Sequence, residues 1–436
     1  MDIKNIRYTS IQDVYALLCD DDDIVVGMMG AEPQLFLQQL HTVFPKLHHL
    51  RITNCLPMGQ YPIYTDPQLD KHVQIDTWFL SPVLRKAYSN GNISFVPNHL
   101  HMAAVRMLQT RKPRVYVGAA SMPDANGNLT LSLSNVYEKR ILEAADLVIL
   151  EVNPNFPKTY GDTTIALQDV DYLVAADYPV PELKDAPISE KDAMIGRYIA
   201  EQIPDGACLQ LGIGAIPNAV ANALVNKKDL GVHTEMLTTG FLKLYQAGAI
   251  TNQKKQLHRG KFVCAFVAGD HSLYQFINNN PDVLIMDAHY TNHPEVIAQN
   301  DRQMSINATM EIDLTGQCCS ESIGSQQYSG TGGQSDTANG ATRSKGGKSF
   351  ITLHATATIK DPITHQPREI SKIVPQLKPG AIVSLSRNDV DRVVTEYGIA
   401  SLRGANVAER VTRLIAIAHP QFRESLLLDA KRLGLI

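Results

Sequence analysis

The chain has 436 residues, 44% of them hydrophobic and 19% charged, with a formal net charge of −4. That length suits two or three soluble domains. The acidic balance, with no clustered basic stretch, argues against a nucleic-acid or anionic-membrane partner, and no run of about 18 apolar residues announces a membrane span.

In chain order, residues 11–19 read as an amphipathic helix that stops at the acidic cluster Asp20–Asp23. The run Ile24-Val25-Val26-Gly27 reads as a buried strand. Gly30-Ala31-Glu32-Pro33 then leads into a helix around Leu35–Leu40 with proline in its first turn. Further strands are predicted at Leu50–Asn54, Ile93–Val96, Arg114–Gly118 and Leu147–Val152. The last of these exits through the turn-rich Asn153-Pro154-Asn155-Phe156-Pro157. Continuous apolar strands alternating with helices predict an α/β fold with a mostly parallel sheet covered on both faces.

The pattern then restarts. A strand at Ala207–Leu211 is followed by Gly212-Ile213-Gly214-Ala215-Ile216-Pro217 and a helix at Asn218–Val225. Residues 24–40 laid over 208–224 without gaps pair Gly30 with Gly214, Ala31 with Ala215, Pro33 with Pro217 and Leu40 with Leu224. This predicts two tandem open α/β domains of related fold, residues 1–185 and 190–436. The Pro- and charge-rich stretch 180–195 is the linker. Strands are also predicted at Phe262–Ala268 and Val283–Met286. The Gly- and Ser-rich stretch 320–349 reads either as a flexible loop or as a backbone-lined ligand surface, since glycines permit close approach. The tail from Asn388 is helical in character, with Val393 and Val394 on an apolar face.

The six cysteines include no Cys-x-x-Cys pair and fit a reducing compartment. The first residues carry no signal-peptide pattern, so the expected location is cytoplasmic. The one His-x-x-x-His spacing, His289 to His293, lacks the glutamate of a zinc-hydrolase helix, and Asn292-His293-Pro294 reads as a turn. No metal site is expected.

Two features bear on chemistry. The Gly212–Ala215 turn joins a strand to a helix and can present backbone N–H groups to an anion. With Pro217 where a third glycine would stand, it is not a dinucleotide fingerprint. An equally simple reading is a tight turn with no ligand. Glu235, in the apolar run Gly231–Leu237, would ordinarily be a surface or capping group. In a partly desolvated pocket a carboxylate becomes a nucleophile. Asn307 reads as a strand-edge polar residue or an oxyanion donor. Gly332 and Gly333 could offer backbone N–H groups to the same oxyanion. Glu396 and Arg403 read as a structural ion pair.

Taken together, Gly30-Ala-Glu-Pro33, Glu151-Val-Asn-Pro-Asn155, Leu211-Gly-Ile-Gly-Ala215, His233-Thr-Glu-Met236, Asn307, Gly332-Gly-Gln334, Ser344-Lys-Gly-Gly347 and Glu396-Tyr-Gly-Ile-Ala400 resemble the acetyl-CoA hydrolase/transferase family. The likeness is to its 4-hydroxybutyrate and butyryl-CoA:acetate CoA-transferase branch. The resemblance implies two CoA-transferase-like domains, the C-terminal one carrying a catalytic glutamate at Glu235. It implies oxyanion donors at Asn307 and at Gly332 or Gly333. It implies coenzyme A contacts at Gly212, Ile213, Gly214, Ala215, Ser329, Gly330, Gln334 and Lys348.

The resemblance further implies a homo-oligomer that moves CoA between a short-chain acyl-CoA and a carboxylate. CoA would be substrate and covalent intermediate, with no permanently bound cofactor. A hydrolase, or a non-catalytic binder of CoA esters, is the alternative. One departure stands out: after Gly-Gly-Gln the family commonly continues with an apolar residue, Asp and Phe, whereas this chain has Ser335-Asp336-Thr337, which bears on the size of the acyl pocket.

Overall fold

The computed structural model describes residues 8–361 and 363–436. The chain packs as two compact units. The first comprises Met1–Lys184, Glu235–Thr239 and Lys261–Asn292; the second comprises Asp185–Thr234, Gly240–Gly260 and His293–Ile436. The expected C-terminal span 190–436 is therefore not one continuous body: Glu235–Thr239 and Lys261–Asn292 pack with the N-terminal residues.

The first unit is built on an eight-stranded sheet. Across it the strands run Tyr8–Thr9, Tyr172–Ala175, Leu147–Val152, Val115–Ala120, Asp22–Val26, Leu50–Asn54, Val73–Thr77 and Ile93–Phe95. Every neighbouring pair is parallel. Burial on both faces explains why central strands such as Val115–Ala120 and Leu147–Val152 read as largely apolar runs. Val115–Ala120 is buried at every position. Each enclosed Val, Leu or Ile contributes roughly 1.5–3 kcal/mol. The chain steps outward from Asp22–Val26 on one side, then returns to place Val115–Ala120 on the other. A ligand crevice belongs at the carboxyl ends of strands where the order reverses in this way. Here that point is Gly27, whose N–H donates to Val117 C=O at 3.0 Å.

The second unit carries a six-stranded sheet in the order Gly231–Val232, Cys208–Leu211, Gln303–Ala308, Lys348–Thr352, Arg392–Thr395, Gly398–Ser401. All neighbours are parallel except the final hairpin. Its order reverses between Cys208–Leu211 and Gln303–Ala308, so the corresponding crevice lies at Gly212 and Asn307.

Three readings are corrected here. Gln334–Arg343, inside the stretch read as loop or ligand surface, is an α-helix. Its small residues let it press against a neighbouring helix, Pro294–Ile297; a Cβ at Gly340 would sit 2.6 Å from Ile297 Cβ. Val393 and Val394 belong to a buried strand rather than a helix, and helices begin only at Val407 and Pro420. The ungapped overlay of 24–40 on 208–224 pairs unlike positions: Pro33 precedes the helix Gln34–Gln39, while Pro217 lies within the helix Ala215–Ala223. Among the described residues no helix is long and apolar enough to cross a membrane.

Candidate active site

In the first unit, Glu235 leads into the short strand Met236–Leu237, which pairs in parallel with Phe266–Val267. Its backbone carbonyl accepts from Ala265 N–H (2.9 Å) and Phe266 N–H (3.1 Å). Val267 N–H in turn donates to Leu133 C=O at 2.8 Å. Met236 and Phe266 join one apolar cluster with Met28, Met29, Cys55 and Trp78, residues that follow the carboxyl ends of the large sheet's strands. Burial, then the charges of Glu138 and Glu235, hold the Cys55 thiol well above its ordinary pKa. The Glu235 side chain is half-buried. Its Oε2 accepts a 2.6 Å hydrogen bond from Asn292 Nδ2.

The same end of this sheet carries three buried carboxylates that hold the segment from Gly27 to the helix Gln34–Gln39. Glu138 accepts from Met28 N–H (3.0 Å) and Ser134 Oγ (2.8 Å). Glu32 Oε2 accepts from Met58 N–H (2.8 Å) and Gly59 N–H (3.1 Å). Glu151 accepts from Leu35 N–H (3.1 Å), Phe36 N–H (2.6 Å) and Tyr178 OH (2.7 Å). Two of the quoted motif segments, around Glu32 and Glu151, thus shape the turn at the sheet's reversal point.

In the second unit, the turn after Cys208–Leu211 is exposed at Ile213 and Gly214 and opens the helix Ala215–Ala223. Gly214, with φ 114°, takes a conformation that side chains avoid. Gly212 N–H donates to Ile306 C=O at 3.2 Å, which brings the turn beside Asn307. Gly332 has φ 54°, and Gly333 caps the helix Gln334–Arg343. Gln334 Nε2 donates to Ala308 C=O at 2.8 Å, so this loop also reaches the carboxyl end of Gln303–Ala308. Gly212–Ala215, Asn307 and Gly332–Gln334 therefore share one end of one sheet.

Residues 9–183 match the family model described as "Acetyl-CoA hydrolase/transferase N-terminal domain", and residues 269–430 match the C-terminal domain of the same family. The chain belongs to the acetyl-CoA hydrolase/transferase family. It is 43% identical, over 97% of its length and 94% of the relative's, to succinyl-CoA:cyclohexane-1-carboxylate CoA transferase of Geobacter metallireducens. It is 43% identical to 4-hydroxybutyrate coenzyme A transferase of Clostridium kluyveri over 88% of this chain and 87% of the other. The crystal structure of RipA from Yersinia pestis superposes with a TM-score of 0.92 at 33% identity, covering 100% of both chains.

Other site residues of this family member stand as follows. Lys348 opens the strand Lys348–Thr352 and pairs with Met304, whereas Asn307 pairs with Ile351. At about 3.3 Å per residue, three residues set Lys348 roughly 10 Å along the sheet from the crevice end. Its Nζ donates to Gln202 C=O at 2.7 Å. It does not join the glycine turns to which the resemblance tied it. Glu396 and Arg403 do not pair. Glu396 accepts from Ala355 N–H (2.8 Å) and meets Lys191 (3.3 Å), while Arg403 donates to Thr342 C=O. Asn307 Nδ2 donates to Ser305 Oγ (2.9 Å) and to Thr337 Oγ1 (3.0 Å). Thr337, standing where the family pattern has Phe, thus acts on Asn307 through its hydroxyl.

The sequence reading placed Asn292 in a turn and gave it no chemical role. The signal was slight: an asparagine closing the four-residue helix Ala288–Thr291.

The buried carboxylates set a pH dependence. Burial pushes Glu32 up to about 8, against the pull of its two N–H donors. Burial likewise pushes Glu151 up to about 7, against its helix N–H donors and Tyr178. The ordinary value is 4.5. Between pH 4.5 and about 8 the folded chain binds more protons than the unfolded one. These groups therefore lower stability as pH rises through that window, and the loss is complete above it. Glu32→Gln keeps an acceptor for Met58 and Gly59 but cannot ionise. Urea denaturation across pH 5–9 should show a shallower decline for this variant and greater stability than the parent at pH 9. Parallel curves would refute the assignment.

Proposed function

We propose that the chain is a CoA-transferase in which the Glu235 carboxylate carries CoA as a glutamyl thioester. The observation that carries this reading is the half-buried Glu235, in the family's His-Thr-Glu-Met segment, with one carboxylate oxygen engaged by the buried Asn292 amide. The other oxygen, Oε1, is the attacking atom. It adds to the thioester carbonyl of a short-chain acyl-CoA and expels the CoA thiolate. The thiolate then opens the resulting anhydride at the glutamyl carbon and releases the carboxylic acid. An acceptor such as acetate reverses these steps. The acyl bond is passed on, so no other energy source is consumed.

In this reading 4-hydroxybutyryl-CoA or butyryl-CoA is the donor, in keeping with the Clostridium kluyveri relative's name. The Gly332–Gly333 backbone serves the oxyanion of the donor thioester, beside Asn307, whose two amide hydrogens are held by Ser305 and Thr337, and the Gly212–Ala215 and Ser329–Gln334 loops receive CoA. CoA enters as substrate, with no resident cofactor. The enzyme is a homo-oligomer of the cytoplasm, a compartment that suits its six free cysteines.

The test is intact-protein mass after incubation with butyryl-CoA and no acceptor. A gain equal to CoA less water, removed by acetate and mapped to the peptide holding Glu235, supports the transferase. Steady release of free CoA without an adduct identifies a hydrolase instead.

A further inference from the structure

In the stretch Gly330–Gly333 only Thr331 carries a side chain. Gly332, at φ 54°, stands in the left-handed region. Glycine loses more conformational freedom on ordering than any other residue. Backbone N–H groups serve an oxyanion only when they are fixed before the charge develops. A loop of this composition needs a hold from outside itself.

Both of its ends are tied. Gln334 Nε2 donates to Ala308 C=O at 2.8 Å, and Gln327 Nε2 donates to Ser329 C=O at 3.1 Å. Glu321 grips the loop twice. Its backbone C=O accepts from Tyr328 N–H (2.7 Å) and Ser329 N–H (3.1 Å). Its side-chain Oε2 accepts from Thr331 Oγ1 at 2.7 Å, the one side-chain tether in the middle of the glycines.

Glu321 is itself firmly mounted. It follows the strand Cys318–Cys319, which pairs antiparallel with Glu311–Asp313, and leads into the hairpin of Ser322–Ile323 with Gln326–Gln327. Its neighbour Ser320 donates its N–H to Ser384 Oγ and its hydroxyl to Thr309 Oγ1, each at 3.0 Å. All of these residues belong to the second unit. The Glu321 side chain is buried, and among the described residues no cation pairs with it. A carboxylate is costly to enclose without a cation; this one is spent on the Thr331 hydroxyl.

We propose that Glu321 is a positioning residue for the oxyanion of the donor thioester: through the Thr331 hydroxyl it fixes the N–H groups of Gly332 and Gly333 before the charge arrives. The proposal rests on the reading that this backbone serves that oxyanion. When Glu235 adds to the thioester carbon, the C=O electron pair moves onto oxygen. It returns to carbon as the C–S bond breaks and the CoA thiolate leaves. Donors already in place bind the adduct without reorganising, which is what accelerates the step. Glu321 touches no reacting atom. An uncharged acceptor at the same point holds Thr331 as well, which separates this role from proton transfer or a direct effect of the charge.

The experiment compares wild type, Glu321→Ala, Glu321→Gln, Thr331→Val, the double variant Glu321→Ala/Thr331→Val, and Glu235→Ala. Each is mixed rapidly with saturating butyryl-CoA, and adduct mass is followed in time. The final fraction of chains carrying the adduct counts competent sites. The rate constant reports how well those sites are arranged. Misfolding lowers the first and leaves the second. Glu321→Ala and Thr331→Val should each form the adduct about 10²-fold more slowly, as when donors are displaced by about 1 Å. The double variant should be no slower than the single ones, since both remove one hydrogen bond. Glu321→Gln, which keeps an acceptor for Thr331, should recover most of the rate.

Wild-type rate constants in Glu321→Ala and Thr331→Val overturn the proposal. So does a double variant whose loss is the product of the two single losses, and so does a Glu321→Gln variant as slow as Glu321→Ala. Where Glu321→Ala yields no folded protein, Thr331→Val carries the test, and a wild-type rate constant there is enough to overturn it. If wild type forms the adduct and Glu235→Ala does not, the nucleophile reading stands whatever Glu321 does. If wild type forms none, both readings fall.

Discussion

Glu235→Ala abolishes CoA exchange between butyryl-CoA and acetate, with a loss on the order of 10⁵-fold, as when a covalent nucleophile is removed. The fold survives, because the contacts that hold this strand are made by the backbone: Glu235 C=O with Ala265 and Phe266, and Met236–Leu237 with Phe266–Val267. The structural penalty includes the orphaned Asn292 amide, about 1–3 kcal/mol. Glu235→Gln removes even that, since its side-chain carbonyl can accept from Asn292 while offering no nucleophilic oxygen. Both variants should fail to form the mass adduct. An exchange rate within tenfold of wild type in either would exclude Glu235 as the nucleophile.

Glu151→Ala produces the largest loss of stability expected from a single change in the first unit. The helix Gln34–Gln39 has Pro33 at its N-cap and no side-chain cap of its own. Glu151, 115 residues away along the chain, supplies the acceptor instead. Deleting it leaves the N–H groups of Leu35 and Phe36 and the hydroxyl of Tyr178 without their acceptor. At about 1–3 kcal/mol for each buried group left unpaired, a total near 4 kcal/mol is expected. Glu151→Gln should fall between, since its amide keeps one acceptor and sets a donor against the others. Urea midpoints for the two variants decide it; a loss under about 1 kcal/mol for the alanine variant would show the turn to be held some other way.

Both predictions depend on distances along the chain that no local pattern records. Strand and helix periodicity within a window, by contrast, is legible wherever burial is two-sided. Leu147–Val152 and Leu50–Asn54 were read correctly to the residue; in the first, burial on both faces favours the run of Leu, Val and Ile that marks it. The α/β class and family membership followed from such runs and from motif order.

The helix Gln334–Arg343 was hidden because its composition answers to close packing against Ile297 rather than to an apolar stripe facing a core. Val393 and Val394 lay in a strand buried in the sheet, where short apolar runs fit strand and helix alike. Glu396 and Arg403, seven residues apart, were paired by proximity in sequence. The fold gave the carboxylate to Lys191 and Ala355 and the guanidinium to Thr342.

The sequence by itself determined the class of fold and the family, since each is written in residue types at fixed local spacing. Only the tertiary structure decided that Glu235 packs with the N-terminal sheet, that Lys348 lies at the wrong end of its strand, and that Asn292 is the partner of Glu235. Each of these depends on side chains brought together across tens to hundreds of residues, and a hydrogen bond of 2.6 Å is set by that folding, not by any spacing along the chain.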